Sequence, residues 1–307
     1  MQSVQEITQE LRFRDMTIGD IPAGLQLCRA SGWNQMEADW RLFLMLNSTG
    51  CRVVERVAER DGKDRQVIGT VSTIRYGVGK PSDSREDRFG WLSMVLVDPA
   101  ERGAGVGTRL LHEGLALLED QRCIRLDATP AGRQIYHRHG FVEEYGLCRM
   151  VGTVDPSRFR LPSGTVRPMS PQDLAEVMTV DAQVFGAGRE KIILDLFHRA
   201  PQYAWLSEKD GQLQGYALGR SGFLYEHLGP IVARDLDGAL SLAAACFCSH
   251  SGLTFAVDAS PFVSGWMEWL ATHGFAEERP FIRMYRGDLR YPGIPERQFA
   301  IVGPEFG

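Results

Sequence analysis

The chain has 307 residues, a net charge of −5 and a hydrophobic fraction of 44%. At roughly 100–200 residues per domain, this length favours two domains, and the composition supports a packed core rather than a disordered chain. The acidic balance argues against a protein that binds nucleic acid by neutralising phosphates. No apolar run approaches the roughly 20 residues that span a bilayer, so no membrane partner is expected.

The first residues and the cysteines indicate the compartment. The opening sequence MQSVQEITQELRFRD has no basic stretch followed by an apolar one, so no secretion signal is expected. The six cysteines form no C-x-x-C pair, and none has His or Cys partners at zinc-ligand spacing. We therefore expect free thiols in a reducing, cytoplasmic location and no bound metal.

The first half of the chain has a mixed α/β pattern. Helices are predicted near residues 18–30, 36–47, 105–119 and 131–139, the third from apolar residues at a period of 3.6. Strands are predicted near 51–58, 67–76, 89–97, 124–127 and 141–150. A turn at Asp61-Gly62 and a polar loop at 80–88 separate the middle strands.

The second half has the same order of elements. Its helices are predicted near 171–180, 189–199, 235–249 and 261–273. Its strands are predicted near 202–207, 212–220, 223–232, 253–258 and 275–286, with a further strand-like patch at 299–302. The agreement in order suggests that the two halves are copies of one fold.

Two sequence echoes support an internal repeat. The pattern H-G-F-x-E-E-x4-R-M begins at His139 and again at His273, and an R-x-M-[TS]-x-x-D pattern begins at Arg14 and at Arg167. We predict an α/β fold, α+β in its mixed sheets, with two tandem domains. The domains cover residues 1–152 and 164–307, and the Pro- and Gly-containing stretch 153–163 is the linker.

One stretch of the first half is typical of anion binding. An apolar strand leads from Trp91 into a turn with glycines at 103, 105 and 107, and the turn opens a helix. Glycines allow close approach of a ligand to the backbone, and amide groups at a helix start face an anion. The nucleotide P-loop is excluded because no Lys follows, and the G-x-G-x-x-G fingerprint fails at its third glycine. The pattern [QR]-x-x-G-x-[GA] fits, as Arg102-x-x-Gly105-x-Gly107.

With these residues the chain resembles the GCN5-related N-acetyltransferase (GNAT) superfamily. The string V-D-P-x-x-R-G-x-G-V-G-x-x-L-L, from Val97 to Leu111, is similar to that superfamily's acyl-CoA loop. The segment from Leu126 to Phe141, with L-D-A-T-P-A-G-x-x-I-Y, is similar to its "LYEKLGF" helix. Together with the divergent second copy, it resembles the tandem-domain YitH-like group. The resemblance implies two mostly antiparallel, splayed sheets flanked by helices.

The resemblance also assigns roles to residues. It implies that acetyl-CoA binds to Val95, Leu96, Val97, Arg102, Gly103, Ala104, Gly105, Val106, Gly107 and Thr108. The first three would pair with the acyl-pantetheine arm and polarise the thioester carbonyl, and the others would hold the pyrophosphate. Tyr136 would donate a proton to the leaving thiolate, although packing beside Ile135 is an alternative role for its ring. Thr129 stands where many members have an Asn that contacts pantetheine.

The resemblance implies that the loop between the first two helices covers the acceptor pocket. Trp33, Asn34 and Gln35 are candidate acceptor contacts, whereas Trp40 has the spacing of a core residue. No general base is identified; Asp127 is one candidate, and a loop anchor is its alternative role. In the second half the glycine loop is replaced by Asp235-Leu-Asp-Gly, and Leu270 stands at the position of Tyr136.

The sequence therefore predicts an acetyl-CoA-dependent N-acetyltransferase in which an amine attacks the thioester directly. The acceptor is expected to be a small-molecule or peptide amine, and the acidic charge slightly favours a cationic one. The alternative is a non-catalytic acyl-CoA-binding sensor or scaffold. The second half is expected to be a degenerate copy that no longer binds acyl-CoA in the same way. Acyl length and oligomeric state are not specified by these patterns.

Overall fold

The computed structural model describes residues 10–57, 65–77, 89–160 and 166–307. The predicted turn at Asp61-Gly62, the polar loop at 80–88 and the last part of the predicted linker lie outside these ranges. Contacts divide the chain into two compact units. The first contains residues up to Ile74 together with Leu92–Glu119, and the second contains Arg75–Trp91 together with Asp120–Gly307.

The first unit is an antiparallel sheet carrying three helices. Its strands are β1 (Glu10–Asp15), β2 (Cys51–Val57) and most of β3 (Arg65–Tyr76) and β4 (Phe89–Val97), in the order β1-β2-β3-β4. Its helices are α1 (Ile21–Ala30), α2 (Glu37–Leu46) and α3 (Val106–Leu117). All but β1 are close to the predicted elements. The strand β1, ELRFRD, has charged residues at four of its six positions, which hides its strand character.

Two glycines allow α3 to pack closely on the sheet. A Cβ at Gly69 on β3 would lie 2.8 Å from the Leu110 side chain of α3. A Cβ at Gly114 on α3 would lie 2.8 Å from the Leu92 side chain of β4. The same helix buries Val106 and Leu111, which continue the apolar stripe predicted from the sequence. This packing fixes the start of α3 beside the end of β4.

The second unit is a larger mixed sheet with five helices among its described residues. Its strands are β5 (Cys123–Ala128), β6 (Val142–Thr153), β7 (Val166–Pro168), β8 (Trp205–Lys209), β9 (Gln212–Arg220), β10 (Glu226–Ala233), β11 (Thr254–Ala259), β12 (Ala276–Gly287) and β13 (Gln298–Ala300). Its helices are α4 (Pro130–Arg138), α5 (Leu174–Phe185), α6 (Glu190–Arg199), α7 (Leu236–Cys248) and α8 (Trp266–Thr272). The three-residue β7 was not predicted, and α8 begins later than predicted because Gly265, at φ +91°, starts it.

The last strands of the two sequence repeats are exchanged. The second repeat's β12 lies between β5 and β6 of the first repeat, antiparallel to both. The first repeat's β6 in turn pairs antiparallel with β11 of the second. The units defined by contacts therefore do not follow the repeat boundaries predicted from the sequence, and those boundaries stay a prediction.

Two buried ion pairs join the exchanged strands. Arg283 on β12 donates from Nε and Nη2 to both oxygens of Asp127 on β5, each at 2.8 Å. Arg149 on β6 makes the same two bonds to Asp258 on β11, each at 2.7 Å. Burial alone would raise the pKa of Asp258, but the adjacent Arg149 guanidinium holds that pKa well below its usual range. The R-M dipeptide that recurs in the two repeats thus contains the arginines that join the exchanged strands.

We expect Asp127→Asn to destabilise the fold strongly. Asp127 and Arg283 have side-chain exposures of 0% and 1%, so the variant leaves a buried guanidinium without its counter-charge. Breaking such a pair costs about 3–5 kcal/mol, measurable as a shift in the urea midpoint. The matched control is Asp288→Asn in the exposed pair with Arg290, where about 0–1 kcal/mol is expected. Equal shifts for the two variants would contradict a structural role for Asp127.

The R-x-M-[TS]-x-x-D pattern that opens each repeat also has a structural role. In the first unit Arg14 donates to both oxygens of Asp20, at 2.8 and 2.7 Å. In the second unit Arg167 donates to both oxygens of Asp173, at 2.8 Å each. The Arg14 hydrogen bonds lower the pKa of Asp20 to about 2 against the opposing effect of burial. In each repeat, the aspartate also caps the turn that begins the first helix.

Candidate functional site

The strand β4 carries a local distortion just before the predicted acyl-arm segment. Met94 has φ +53°, a left-handed conformation that residues other than glycine rarely adopt. The buried Thr70 hydroxyl on β3 donates to the Met94 carbonyl oxygen at 2.8 Å and holds the distortion in place. Such strain is common at functional sites. It immediately precedes Val95, Leu96 and Val97, the residues predicted to pair with an acyl arm.

The loop after β4 brings the start of α3 to an open surface. The Asp98 carboxylate accepts from the Ala100 amide at 2.9 Å and begins the turn. Gly103 and Gly105 follow at φ +84° and +80°, and a Cβ at either would meet nothing within 4 Å. Gly105 is the N-cap residue of α3, and no side chain caps the helix there. The first amides of α3 are thus left to an external acceptor, which the positive end of the helix dipole favours as an anion.

Arg102 connects this loop to the predicted acceptor loop. Its Nε donates to the Val97 carbonyl oxygen at 3.2 Å, and its Nη2 donates to the Ser31 hydroxyl at 3.2 Å. The guanidinium therefore stabilises the glycine loop through contacts with residues that flank it. It also occupies one hydrogen-bond acceptor position of the Val97 carbonyl oxygen. Within the first unit, the structure thus brings the glycine loop and the loop that follows α1 together.

The acceptor loop itself is held firmly. Arg29 donates to the carbonyl oxygens of Trp33 and Gln35, at 3.1 and 2.8 Å. Asn34 and Gln35 are buried, with exposures of 5% and 6%, and Trp33 is half-buried. Trp40 is fully buried against Phe43, as predicted for a core residue.

Six buried side-chain polar atoms of this unit lack a hydrogen-bond partner among the described residues, and two of the six adjoin the candidate site. They are the Ser93 hydroxyl oxygen, next to the distorted Met94, and the Gln35 side-chain oxygen in the acceptor loop. Buried polar atoms are normally satisfied, so each such atom needs an explanation. A polar ligand that contacts β4 and the acceptor loop would supply these partners. Neither residue's free atom could have been predicted from the sequence.

Tyr136 lies in the second unit, on α4. Its ring packs edge-on against Phe141 with centroids 5.8 Å apart, and it is half-buried. Burial raises the pKa of Tyr136 to about 12, so the phenol is protonated at any working pH. Within the described ranges, its hydroxyl has no protein partner. The side chain therefore fits both roles expected from the sequence. Its ring is packed, and its hydroxyl is available to donate a hydrogen bond.

The neighbouring candidates have structural partners. Thr129, which replaces the expected Asn, is the N-cap of α4 and accepts from the Gly132 amide at 3.3 Å. Both oxygens of Asp127 are bound by Arg283, which leaves the carboxylate little freedom to act as a general base. Glu144, one of the two acidic residues in the repeated H-G-F-x-E-E pattern, pairs with the buried Arg125 at 2.7 Å.

The equivalent positions of the second repeat differ in chemistry. The helix α7 is capped by Asp235, whose carboxylate accepts from the Gly238 amide at 2.9 Å. A carboxylate at a helix start occupies the place of an anion and repels another one. Leu270, at the position of Tyr136, is fully buried in the hydrophobic core. At the matching positions, this repeat thus has a helix start capped by a carboxylate and a leucine in place of the tyrosine.

The described ranges contain no cluster of three or more His, Cys, Asp and Glu side chains that could hold a metal ion. No helix in the described part of the chain is both long and apolar enough to cross a membrane. All six cysteines fall within the described residues and are free thiols. Burial raises the pKa of the Cys51 thiol to about 11, which makes it a poor nucleophile.

Two family models match the chain. Residues 51–143 match a family model described as an acetyltransferase (GNAT) domain, and residues 177–300 match a second model with the same description. Both matches confirm the predicted tandem arrangement.

Three individual relatives share between 18% and 27% sequence identity with the chain. The holothin acyltransferase of Pseudoalteromonas sp. (strain SANK 73390) is 27% identical over 222 residues, which cover 72% of this chain and 71% of that protein. YitH of Bacillus subtilis (strain 168), an uncharacterized N-acetyltransferase, is 26% identical over 156 residues, covering 49% of this chain and 54% of that protein. A GCN5-related N-acetyltransferase structure from Sphaerobacter thermophilus has a TM-score of 0.63 at 18% identity, covering 90% of this chain and 95% of that one.

Proposed function

Because the chain belongs to the GNAT superfamily and carries two of its domains in tandem, we propose that it transfers an acetyl group from acetyl-CoA to an amine. Acyl transfer is the general activity that the family and the relatives support. The observation that carries the finer proposal is the start of α3, where two left-handed glycines leave uncapped amides on an open surface. A pyrophosphate is the anion that such a loop suits.

The residues present fit an acyl-CoA. Amides from Gly103 to Thr108 would hold its phosphates, and backbone groups of Val95–Val97 would hold its acyl arm. The Arg102 amide, also predicted to hold the phosphates, donates to the Pro99 carbonyl oxygen at 3.5 Å. When bound, acyl-CoA supplies an activated thioester carbonyl to the site. The left-handed Met94 interrupts the regular strand conformation just before Val95–Val97 and supports this use of β4.

The protein must then supply two things to the reaction. An oxyanion requires a fixed N–H donor, which a backbone amide of Val95–Val97 would provide. A departing thiolate benefits from a nearby donor, which the Tyr136 hydroxyl would provide. With a pKa of about 12 this phenol is a weaker acid than a free thiol, whose pKa is about 8.5. We therefore assign Tyr136 mainly to hydrogen-bond donation as the carbon–sulfur bond breaks.

A CoA-release assay across a panel of amines tests the function. The panel should contain small aliphatic amines, lysine peptides and holothin, the last because of the relative named for it. We expect thiol release above the no-acceptor rate with at least one amine, and a product heavier by one acetyl group. Saturable acetyl-CoA binding without release for any amine would favour a sensor or scaffold instead.

A further inference from the structure

Both repeats contain a short parallel junction between corresponding strands. In the first repeat, Gly90 and Trp91 of β4 pair in parallel with Ile124 and Arg125 of β5. In the second repeat, the junction pairs Glu226 and His227 of β10 with Phe255 and Ala256 of β11. Each junction therefore joins the strand that precedes a helix to the strand that follows it; the helix is α3 in the first repeat and α7 in the second.

In the second repeat, the chain itself fills the space beyond this junction. Ala300 of β13 pairs with Ile231 of β10 on one side and with Ala259 of β11 on the other. The Ile301 amide donates to the Asp258 carbonyl oxygen at 3.1 Å, and the Ser260 amide donates to the Phe299 carbonyl oxygen at 2.9 Å. A strand antiparallel to both neighbours thus joins two strands that are parallel to each other.

The residues after β13 are anchored by buried side chains. Arg220 donates to the Val302 carbonyl oxygen at 2.8 Å and forms an ion pair with Glu305, with side-chain exposures of only 4% and 3%. The Tyr76 hydroxyl donates to the Phe306 carbonyl oxygen at 2.7 Å. The Trp91 indole donates to the Pro304 carbonyl oxygen at 3.2 Å. One short segment, folded into a turn by the Phe306 and Gly307 amides donating to the Gly303 carbonyl oxygen at 2.9 and 2.8 Å, therefore satisfies all of these donors with one acidic side chain.

We propose that the second repeat has a strand-accepting slot between β10 and β11, and that residues 298–307 of the same chain are its ligand. The slot takes a polypeptide that is extended over Gln298–Ala300, with a small residue at the position of Ala300, and that then turns to place a carboxylate at the position of Glu305. It corresponds to the place that the first repeat offers to an acyl arm, a comparison that rests on the proposed function. Asp235 at the start of α7 and the buried Leu270 both disfavour acyl-CoA in the second repeat. This agrees with a slot that binds a peptide instead.

A nicked full-length chain tests whether the segment behaves as a ligand. A protease site inserted after the exposed Arg290 allows cleavage without removal of any residue. We expect the 291–307 fragment to stay with the body during gel filtration, to leave in guanidinium chloride, and to restore the original Tm when added back. A matched fragment with Ala300→Lys should not restore the Tm, because Ala300 is fully buried between two strands. Loss of the wild-type fragment under native conditions would overturn the proposal.

A point variant gives a second test without cleavage. A Cβ at Gly229 on β10 would lie 2.0 Å from the Ile301 carbonyl oxygen, so Gly229→Ala should displace the segment. Protection of the Ile301 amide against hydrogen exchange should fall by roughly ten- to hundredfold, the usual effect of overpacking on a local opening equilibrium. The control is Gly146→Ala on β6, where the nearest atom would be at 3.9 Å.

Unchanged protection of this amide in Gly229→Ala would contradict the slot. Neither test uses acyl-CoA, so the slot and the proposed acetyl transfer can fail independently. If acetyl transfer is absent and the fragment is still retained, the slot stands and only its comparison with an acyl-arm site is lost.

Discussion

Tyr136→Phe should lower kcat and kcat/KM together by about 10²–10³-fold, the usual loss when one preorganised hydrogen-bond donor to a developing charge is removed. The substitution keeps the ring that packs on Phe141 and removes only the hydroxyl. Acetyl-CoA affinity should change little, because the glycine loop is untouched. An equal loss in both kinetic parameters indicates an interaction that is made mainly in the transition state. Steady-state kinetics with saturating acceptor and calorimetry with acetyl-CoA measure the two effects.

The pH profile and a matched variant separate this role from packing. A phenol with a pKa of about 12 stays protonated at lower pH and loses its proton only as the pH rises through that value. A decline in wild-type activity between pH 8 and 10 must therefore come from another group. Tyr203→Phe is the control, because its hydroxyl binds Glu226 at 2.8 Å and its loss should cost stability but not turnover. Activity of Tyr136→Phe within about twofold of wild type would leave Tyr136 as a packing residue.

The repeat could be predicted because the residues that recur in its two copies make equivalent contacts in both. Arg14 and Arg167 make equivalent bonds to Asp20 and Asp173, and each set begins a helix. These contacts span six residues, so the local sequence contains both partners. The helices and the central strands could be predicted for the same reason, since their apolar periods are local.

The exchange of last strands could not be predicted in this way. Arg149 and Arg283 recur at matching positions, as do Asp127 and Asp258, so either arginine could pair within its own repeat. Strand order decides between the two pairings, and that order depends on packing across more than 100 residues. A chain cut near Val151 would lose β12 from its place between β5 and β6. The predicted linker therefore separates two sequence repeats without separating two independent sheets.

The fine geometry of the candidate site was also beyond sequence reasoning. The glycine loop could be predicted because the spacing Arg102-x-x-Gly105-x-Gly107 is a local pattern. The left-handed Met94 has no such signal, since methionine does not favour positive φ. The strand-like patch at 299–302 was predicted, but its partners lie on β10 and β11, far from it in sequence. Local patterns predict elements, whereas non-local pairing decides which surfaces remain available to a ligand.

Gly105→Ala should weaken acetyl-CoA binding by about 10–100-fold, the loss expected when one hydrogen bond to a charged group is removed. Gly105 has φ +80°, and an L-residue in that conformation costs roughly 1–2 kcal/mol. To relieve this strain the turn must shift, and the amides at the start of α3 shift with it. The methyl group would also project into the open side of the loop. Isothermal calorimetry at fixed ionic strength measures the affinity, because phosphate contacts are salt-dependent.

Gly252→Ala is the matched control for this variant. Gly252 lies in the turn between α7 and β11 at φ +78°, and its Cβ position is equally open. The two variants should therefore lose similar stability in urea, but only Gly105→Ala should lose affinity. Wild type should bind one acetyl-CoA per chain, because the Asp235 carboxylate already occupies the start of α7. Equal affinities for the two variants, or a second equivalent site in wild type, would mean that the start of α3 is not where the phosphates are held.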